Sequence, residues 1–396
     1  MTNYMKMRST VLHAIGGGWG NETSSVSTSR VAVIRGADFP AVLVGDTRGL
    51  PRRWEKDSKL PQRLLLAEDI VLEISGGTSD RPTGRSVFIS QRLLDEIGIP
   101  AIPASFCKLV RIDRSVADPY FVYWCLQNMF NQGRAWNYQN RSTGIANFQF
   151  EYFLDQEEIP GFPLEEQRAI AATLGALDDK IESNTRLVKL IPEIISVYVA
   201  KELENNCSEI PVSNLAEFVN GGAYTKGASG NGRVVIRIAE LNSGIGSSTV
   251  YNNIEVPDNK TARAGDILMS WSGTLGVYVW TLDEAIINQH IFKVLPKEYP
   301  SWLVFDRLNS AISEFRAIAA DKATTMGHIR RDHLNSTLIE IPEMAGIERL
   351  NEICGLLWRK YISTQLEINE LSSLRDALLP ELMSGRIRVR VMEVSG

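Results

Sequence analysis

The side chains that could do chemistry in this 396-residue chain are scattered along it. His13, His290, His328 and His333 show no metal-ligand spacing, and no Ser/His/Asp order of a hydrolase stands out. The four cysteines are dispersed without a CxxC pair, which favours ordinary buried thiols in a reducing, cytoplasmic setting. The sequence therefore predicts no catalytic centre and no metal centre in this chain.

Two glycine-rich loops invite comparison with nucleotide-binding loops. They are 16–20 (GGGWG) and 220–224 (NGGAY). Neither has the GxGxxG spacing of a dinucleotide fold, and neither has the lysine of a P-loop. A nucleotide site is therefore not predicted. Each loop places a bulky aromatic residue beside glycines.

The tetrad Asp118-Pro119-Tyr120-Phe121 is the stretch that looks most catalytic. Amino-methyltransferases hold their target amine with an (Asn/Asp)-Pro-Pro-(Tyr/Phe) loop. One proline of that loop is missing here, and the tetrad opens the apolar stretch 119–131. Because proline suits a first helical turn, we interpret the tetrad as the start of a buried helix.

Composition is that of an ordinary globular protein, with 44% hydrophobic and 22% charged residues. No apolar run approaches the roughly 18 residues that span a bilayer, and residues 1–15 lack the features of a signal peptide. The net charge is −5, and the acidic surplus leans toward 163–206. Because non-specific DNA affinity comes from phosphate neutralisation, the chain alone should bind duplex DNA weakly.

The same order of elements occurs twice. Residues 1–160 and residues 207–342 each indicate an α+β domain, with a glycine loop, buried strands, an apolar helix and a polar loop in that order. The strand sequence VAVIR at 31–35 matches VVIRI at 234–238, arginine included. The sequence therefore predicts a tandem duplication of a globular domain followed by a long helix.

Two long amphipathic stretches, 161–206 and 343–396, follow the two domains. Apolar residues recur in both by alternating steps of four and three, the heptad pattern of a helix that packs along a partner. The matching patterns predict an antiparallel pair of spacer helices within one chain, with the domains related by a pseudo-twofold axis. The predicted pairing seam contains Leu174, Leu177, Ile181, Asn184, Val188, Leu357, Tyr361, Thr364, Ile368 and Leu371.

Some positions of these helices need their own interpretation. Asn184 could fix the register of the pair, as a single polar seam residue can, or it could lie at a solvated edge. Tyr198 continues the seam of the first helix. Pro192 and Pro380 each remove a backbone donor, so we expect a kink or a break at both.

Several fragments resemble one known family. The stretch 163–168 (PLEEQR) with 178–181 (DDKI) is similar to the central helical segment of the specificity subunits of type I restriction-modification systems. The stretch 374–380 (LRDALLP) resembles their C-terminal segment, and 265–268 (GDIL) resembles a motif inside their domains. The resemblance covers nearly the whole chain. It departs from the family at 344–349 (MAGIER), where the usual proline-rich entry with Glu-Gln-Arg is replaced.

The resemblance implies a non-catalytic DNA reader. Each domain would recognise one half of a split, asymmetric duplex sequence, and the helices would set the spacer between the halves. Two DNA adenine methyltransferase subunits would dock on the helices, and motor-nuclease subunits would join them. S-adenosylmethionine, ATP and Mg would be carried by those partners and not by this chain.

Candidates for base reading are polar and aromatic residues in the loops, because arginine and lysine pair with guanine and asparagine and glutamine pair with adenine. The candidates in the first domain are Trp19, Arg35, Arg81, Arg85, Arg134, Asn137, Tyr138, Asn140, Arg141 and Thr143. The candidates in the second domain are Tyr224, Lys226, Arg237, Trp271, Ser272, Lys322, Thr324, Thr325, His328, Arg330 and Arg331.

Alternatives stay open at this point. Any single arginine could serve in a surface ion pair, and Arg35 and Arg237 recur at equivalent strand positions, where a structural role is the alternative. Asp69 and Asp266 also recur, and we interpret them as loop-anchoring residues. Two other classes of function are an assembly scaffold whose domains bind protein, and an autonomous methyltransferase.

Overall fold

The computed structural model describes residues 3–78, 81–142, 145–321 and 328–389. They form two compact units, and each long helix contributes one part to each unit. Unit 1 contains the residues up to Ser183 together with those from Leu371 onward, and unit 2 contains Asn184–Glu370. None of the described helices combines the length and apolar character that crossing a membrane requires.

Unit 1 mixes short helices with short strands. Its strands are β1 (Tyr4–Lys6), β2 (Val11–Gly16), β3 (Thr28–Ile34), β4 (Arg52–Lys56), β5 (Ile70–Glu73), β6 (Ser86–Phe88), β7 (Ala101–Pro103), β8 (Cys107–Ile112), β9 (Gln139–Ser142), β10 (Ile145–Phe148) and β11 (Glu158–Pro160). Its helices are α1 (Phe39–Val42), α2 (Leu60–Arg63), α3 (Gln91–Ile97), α4 (Pro119–Asn131), α5 (Phe150–Gln156) and the first half of α6 (Leu164–Leu203).

Two sheets form the interior of unit 1. The first is antiparallel with the order β2-β8-β5-β6, and the second has the order β4-β3-β7 with β3 parallel to β7. The stretch Val31–Ile34 of β3 is fully buried, which explains its unbroken apolar sequence. Strand β1 pairs with β11, and β9 forms a hairpin with β10.

Helix α4 begins at the tetrad that had looked catalytic. The Asp118 carboxylate accepts a hydrogen bond of 2.9 Å from the backbone N–H of Phe121, and Pro119 occupies the first turn. This is an N-cap, so the carboxylate satisfies a helix terminus. The aromatic face of α4 then packs against buried residues of the long helices, among them Leu174 and Leu379.

Unit 2 repeats this architecture. Its strands are β12 (Cys207–Pro211), β13 (Ala216–Asn220), β14 (Arg233–Ile236), β15 (Val250–Asn252), β16 (Thr261–Ala262), β17 (Ile267–Ser270), β18 (Gly276–Val279), β19 (Ala285–Ile287), β20 (Ile291–Pro296) and β21 (Leu338–Pro342). Its helices are α7 (Ile238–Ser243), α8 (Ser301–Asp321), α9 (Arg331–Ser336), the second half of α6 and the first part of α10 (Met344–Ser384).

The sheets of the two units correspond strand by strand. The order β13-β20-β17-β18 matches β2-β8-β5-β6, and β15-β14-β19 matches β4-β3-β7, again with one parallel pair, β14 with β19. Unit 2 adds the short strand β16 at the edge of the second sheet. The predicted α+β class and internal duplication are therefore confirmed.

A buried ion pair anchors the same loop in both units. Asp69 accepts two hydrogen bonds of 2.7 Å from Arg111 and a third from the backbone N–H of Leu66. In unit 2, Lys293 lies 2.8 Å from Asp266, which accepts from the backbone N–H of Arg263. Each aspartate thus closes the turn three residues before it and binds a cation from the neighbouring strand, the loop-anchoring role expected of both.

The long helices run antiparallel within each unit. In unit 1, Arg375 of α10 donates a 2.6 Å hydrogen bond to Asp178 of α6, and Arg388 after α10 pairs with Glu166 nearer the start of α6. Burial raises the pKa of the Asp178 carboxyl, although Arg375 favours its charged form. In unit 2, Arg349 of α10 lies 2.6 Å from Glu202, near the end of α6.

The predicted seam residues differ in burial. Leu174 in unit 1 and Asn184, Tyr361 and Thr364 in unit 2 are buried. Leu177, Ile181 and Leu371 in unit 1 and Val188, Leu357 and Ile368 in unit 2 are half-buried. The amide nitrogen of Asn184 is enclosed without a hydrogen-bond partner, so the interpretation of a solvated edge is wrong.

One prediction about α6 is corrected, and the break that was one alternative at each helix proline is excluded. Tyr198 is 37% exposed and its neighbour Val199 is fully buried. A straight helix drifts about 20° per heptad from a strict seven-residue repeat, so the inward position moves by one residue over several heptads. Neither Pro192 nor Pro380 breaks its helix. Ile191, the residue before Pro192, is buried.

Removing the anchoring carboxylate in unit 2 should destabilise the fold. In Asp266→Asn, the Lys293 ammonium stays buried without its counter-ion, and breaking a buried pair costs about 3–5 kcal/mol. We expect a lower midpoint in chemical denaturation followed by tryptophan fluorescence. Asp258→Asn is the matched control, because that carboxylate side chain is 89% exposed. Equal midpoints for the two variants would show that the pair does not anchor the loop.

Replacing the buried amide of Asn184 should stabilise the fold. Asn184→Leu removes a buried donor without a partner, which should raise the free energy of unfolding by about 1–3 kcal/mol. Asn369→Leu on α10 is the control, since that amide donates a 2.8 Å hydrogen bond to the carbonyl of Thr281. Destabilisation by Asn184→Leu in the same assay would contradict this account of the seam.

Candidate nucleic-acid interface

In both units a loop that follows a central strand is held against the segment before a short helix. In unit 1 the backbone of Ser75, just after β5, bridges to Asn147 in β10. In unit 2 Ser272, just after β17, bridges to His328 before α9. The adjoining backbone hydrogen bonds also correspond. In unit 1 the N–H of Phe148 donates to the carbonyl of Ile74 at 2.8 Å, and in unit 2 the N–H of Ile329 donates to the carbonyl of Trp271 at 3.0 Å. The duplicated fold therefore builds one loop platform in each unit.

In unit 1 a buried carboxylate holds two arginines beside this platform. Glu73, at the end of β5, is 3% exposed and accepts hydrogen bonds of 2.7 and 3.0 Å from Arg85 and 3.0 Å from Arg81. Arg85 also donates to the carbonyl of Gly36 at 2.7 Å, so it is committed to the fold. In its contacts with the described residues, the Arg81 side chain donates through one nitrogen. The cluster of Glu73, Arg81 and Arg85 carries one surplus positive charge. The other N–H donors of Arg81 can form hydrogen bonds with a ligand.

The β9–β10 hairpin adds exposed amides to the same platform. Asn137 and Asn140 are exposed to solvent. Gln139 accepts a 3.1 Å hydrogen bond from the backbone N–H of Thr83, which ties the hairpin to the β5–β6 loop. Arg141 lies in β9 at its pairing position with Ala146, and Thr143 lies outside the described residues.

Two further candidates of unit 1 have internal roles. Tyr138 is buried and its hydroxyl donates a 2.6 Å hydrogen bond to Glu157, with which Arg134 also forms an ion pair. Burial, and then the bond to Glu157, raise the pKa of Tyr138. The structure corrects the idea of Tyr138 as a surface contact, because its ring supports the hairpin from below.

Arg35 and Arg237 have the structural role that was the alternative for them. Arg35 donates to Asp38 through its backbone N–H and its guanidinium, at 2.9 and 2.6 Å. Arg237 makes the same pair of contacts with Glu240, at 2.9 and 2.6 Å. Burial opposes the charge on Glu240, but hydrogen bonds from Arg237 and Thr249 outweigh it and lower the pKa of that carboxyl. Both arginines thus fasten the start of a short helix.

The glycine loops serve close backbone packing. A Cβ on Gly17 would lie 2.2 Å from the carbonyl oxygen of Pro103, and one on Gly221 would lie 2.1 Å from that of Asn288. Only glycine fits at either position, since no real side chain tolerates such distances. Trp19 in the first loop is 40% exposed and lies under the guanidinium of Arg53 at 4.9 Å. It packs on the strand β4 and apart from the Arg81 cluster.

In unit 2 the platform is aromatic. Trp271 and His290 lie with ring centroids 5.2 Å apart, and Ser272 follows directly. His290 was missed as a site residue, because a lone histidine in sequence carries no positional signal. The backbone N–H of Trp271 donates to the carbonyl of His290 at 3.2 Å, which fixes the two side by side. Tyr224 is half-buried above Gly222.

The remaining candidates of unit 2 lie at its polar loops. Lys226, His328 and Arg330 are exposed. The guanidinium of Arg331 donates a 3.1 Å hydrogen bond to the carbonyl of Phe218 and is therefore partly engaged. Lys322, Thr324 and Thr325 lie outside the described residues. Among the residues that the structure describes, no group of three or more His, Cys, Asp or Glu could hold a metal ion.

These features define a class of protein: an internally duplicated α+β pair that shares two long helices and carries a polar loop platform in each copy. No protein-family model matches the chain. Relatives and solved structures nevertheless identify what it is similar to.

Two relatives share part of the sequence. The chain is 23% identical over 187 residues to the specificity subunit of the type I restriction enzyme EcoBI from Escherichia coli, a match that covers 45% of this chain and 39% of that protein. It is 24% identical over 276 residues to the specificity subunit of the type I restriction enzyme MjaIX from Methanocaldococcus jannaschii, covering 60% and 62%. The match thus spans less than two thirds of either relative.

A solved structure shares the fold over nearly the whole chain. The crystal structure of the type I restriction-modification S subunit from M. genitalium aligns with a TM-score of 0.60 at 15% identity, covering 96% of both chains. The chain therefore resembles type I specificity subunits in sequence and in fold. The resemblance inferred from its motifs is confirmed.

Two neighbouring arginines should separate binding from folding. Arg81→Gln should weaken binding to the duplex that the wild type selects, by about 1–3 kcal/mol if the side chain pairs with a base. It should lower the denaturation midpoint less than Arg85→Gln does, because Arg81 donates one hydrogen bond to Glu73 and Arg85 donates two. Arg85→Gln should lower the midpoint, because it removes hydrogen bonds to a buried carboxylate worth about 1–3 kcal/mol. Fluorescence anisotropy and urea denaturation measure the two effects. A lower midpoint for Arg81→Gln with unchanged affinity would remove it from the interface.

Proposed function

We propose that this chain is the DNA-specificity subunit of a type I restriction-modification complex. The observation that carries the proposal is the duplicated loop platform, which follows the same strand in both units but presents different side chains. Unit 1 offers an arginine with unused donors and exposed amides. Unit 2 offers a tryptophan and histidine pair with exposed basic residues nearby. Two unequal readers suit a target made of two unequal halves.

Each platform carries side chains that can recognise base edges. An exposed asparagine, such as Asn140, can pair with the N6 and N7 atoms of adenine, and Arg81 can pair with guanine. Arginines and lysines also contact phosphates, which fix orientation without reading sequence. The chain carries a net charge of −5, so its non-specific affinity for duplex DNA should be weak by itself. A partner that contributes arginine and lysine side chains would supply the remaining phosphate contacts.

The long helices are proposed as spacer and docking surface. Their pairing within each unit rests on apolar residues and on ion pairs such as Arg375 with Asp178. The partners would be two DNA adenine methyltransferase subunits, with motor-nuclease subunits added for cleavage. S-adenosylmethionine, ATP and Mg would be bound by those subunits, and this chain would itself be non-catalytic in the cytoplasm.

The test is selection from a random duplex pool by the chain co-expressed with its methyltransferase partner. The expected product is a bipartite, asymmetric sequence with a spacer of fixed length. Arg81→Gln in unit 1 should relax selection in one half-site only, and Arg330→Gln in unit 2 should relax it in the other. A single contiguous site, or two variants that affect the same half, would refute the two-reader model.

The assembly scaffold is distinguished in the same experiment. A scaffold whose domains bind protein should recover no sequence and show no salt-dependent DNA association in the full complex. An autonomous methyltransferase should bind S-adenosylmethionine as the isolated chain, which isothermal titration calorimetry measures directly.

A further inference from the structure

An aromatic side chain is exposed at the centre of the unit 1 platform. Phe106 lies in the turn between β7 and β8 and is 65% exposed. It was not among the residues expected to contact DNA. A single exposed apolar side chain is ordinary on a protein surface, so its exposure alone decides nothing. Its backbone setting and its position in the duplicated fold carry the argument.

The turn that displays Phe106 is held from several sides. The carbonyl of Phe106 accepts hydrogen bonds from the backbone N–H groups of Ile74 and Ser75, at 2.9 and 3.3 Å. The N–H of Cys107 donates to the carbonyl of Ala104 at 2.8 Å, which closes the turn. The glycine loop packs its backbone directly on this turn, as the contact of Gly17 shows. The ring is therefore displayed by a rigid backbone.

The strand end and loop that bond to this turn carry polar and basic residues. Ser75 bridges to exposed Asn147, and Glu73, two residues before Ser75, holds Arg81 and Arg85. This cluster has one surplus positive charge, which fits a phosphate backbone. An apolar ring within a basic, amide-rich platform suits contact with a nucleic-acid base better than contact with an apolar protein surface.

The equivalent position in unit 2 also carries a ring. The carbonyl of His290 accepts from the N–H of Trp271, as the carbonyl of Phe106 accepts from Ile74. The duplication thus keeps the backbone contact and exchanges a phenyl ring for an imidazole. An imidazole can hydrogen-bond and a phenyl ring cannot, so the two units would make different contacts from one position.

We propose that Phe106 is a specificity-determining residue that makes an apolar contact with a base in the half-site read by unit 1. The proposal rests on the proposed function and adds a residue and a chemistry to it. The apolar surface of a base is either the C5 methyl group of thymine or the exposed face of a partly unstacked base. Both are the same contact chemistry, and the experiment tells them apart.

The test compares Phe106→Ala with Leu12→Ala in the full chain with its methyltransferase partner. Leu12 is also 65% exposed, but it lies toward the opposite end of β2 from the glycine loop and is the matched control. Phe106→Ala should bind the wild-type-selected duplex about tenfold more weakly, and Leu12→Ala should bind it normally. Because both side chains are exposed, both variants should keep the wild-type denaturation midpoint.

The source of the contact is read from modified duplexes. Replacing thymine by uracil at one position should weaken the wild type and leave Phe106→Ala unaffected if the ring touches a methyl group. A 2-aminopurine probe should brighten with the wild type and not with the variant if the ring unstacks a base. Either result supports the proposal.

Three outcomes overturn it. Normal binding and selection by Phe106→Ala removes Phe106 from the interface while leaving the proposed function standing. Loss of the methyltransferase partner instead of DNA affinity, measured by size-exclusion chromatography, makes the ring a protein contact. A wild-type complex that selects no duplex overturns the proposed function together with this residue.

Discussion

The larger hydrophobic core of each α+β domain includes residues of both long helices. In unit 1 the aromatic helix α4 is buried against Leu174 and Leu379, which belong to α6 and α10. In unit 2 Trp302 and Phe305 of α8 pack in one cluster with residues of both long helices. Because burial of such side chains supplies much of the stabilisation of a domain, helix pairing and domain folding stabilise each other within each unit. The loop platforms are therefore attached to elements whose orientation is fixed by packing.

The internal use of charge limits what can contact a ligand. Glu73, Asp38, Glu240 and Glu157 are buried carboxylates that bind arginines nominated from sequence as base readers. A buried carboxylate needs its cation, so most of these arginines are committed to the fold. Recognition would depend on a small number of exposed amides, rings and free donors. With the proposed function, this chain would gain specificity from the geometry of its platforms and would leave most of the affinity for DNA to its partners.

Periodicity and repeated order predicted much of the fold. The duplication was visible because strands, turns and helices recur in one order, and the heptad pattern located both long helices. Residue-level predictions failed where small angular deviations add up along a helix. Because a straight helix drifts from the heptad repeat, Val199 is the buried residue at the position where Tyr198 was predicted. The Asp118 tetrad was assigned correctly because a cap and a proline act locally.

The candidate site was less predictable, because charge and exposure are decided by distant residues. Arg35 and Arg81 look alike in sequence, yet Asp38 accepts from two guanidinium nitrogens of Arg35 and Glu73 accepts from a single nitrogen of Arg81. His290 and Phe106 carry no local signal at all. The equivalent backbone hydrogen bonds of the two units place these two residues at the same position of the fold.

The two units share the framework of the fold and differ in the side chains at its surface. The glycine contact, the aspartate anchor and the helix-capping arginine recur in both units with nearly the same distances. At the platform the side chains differ, with Glu73 and Phe106 in one unit where Ser270 and His290 stand in the other. A duplicated frame with exchanged surface residues is what reading two dissimilar half-sites requires, since backbone bracing can be kept while each platform presents its own chemistry.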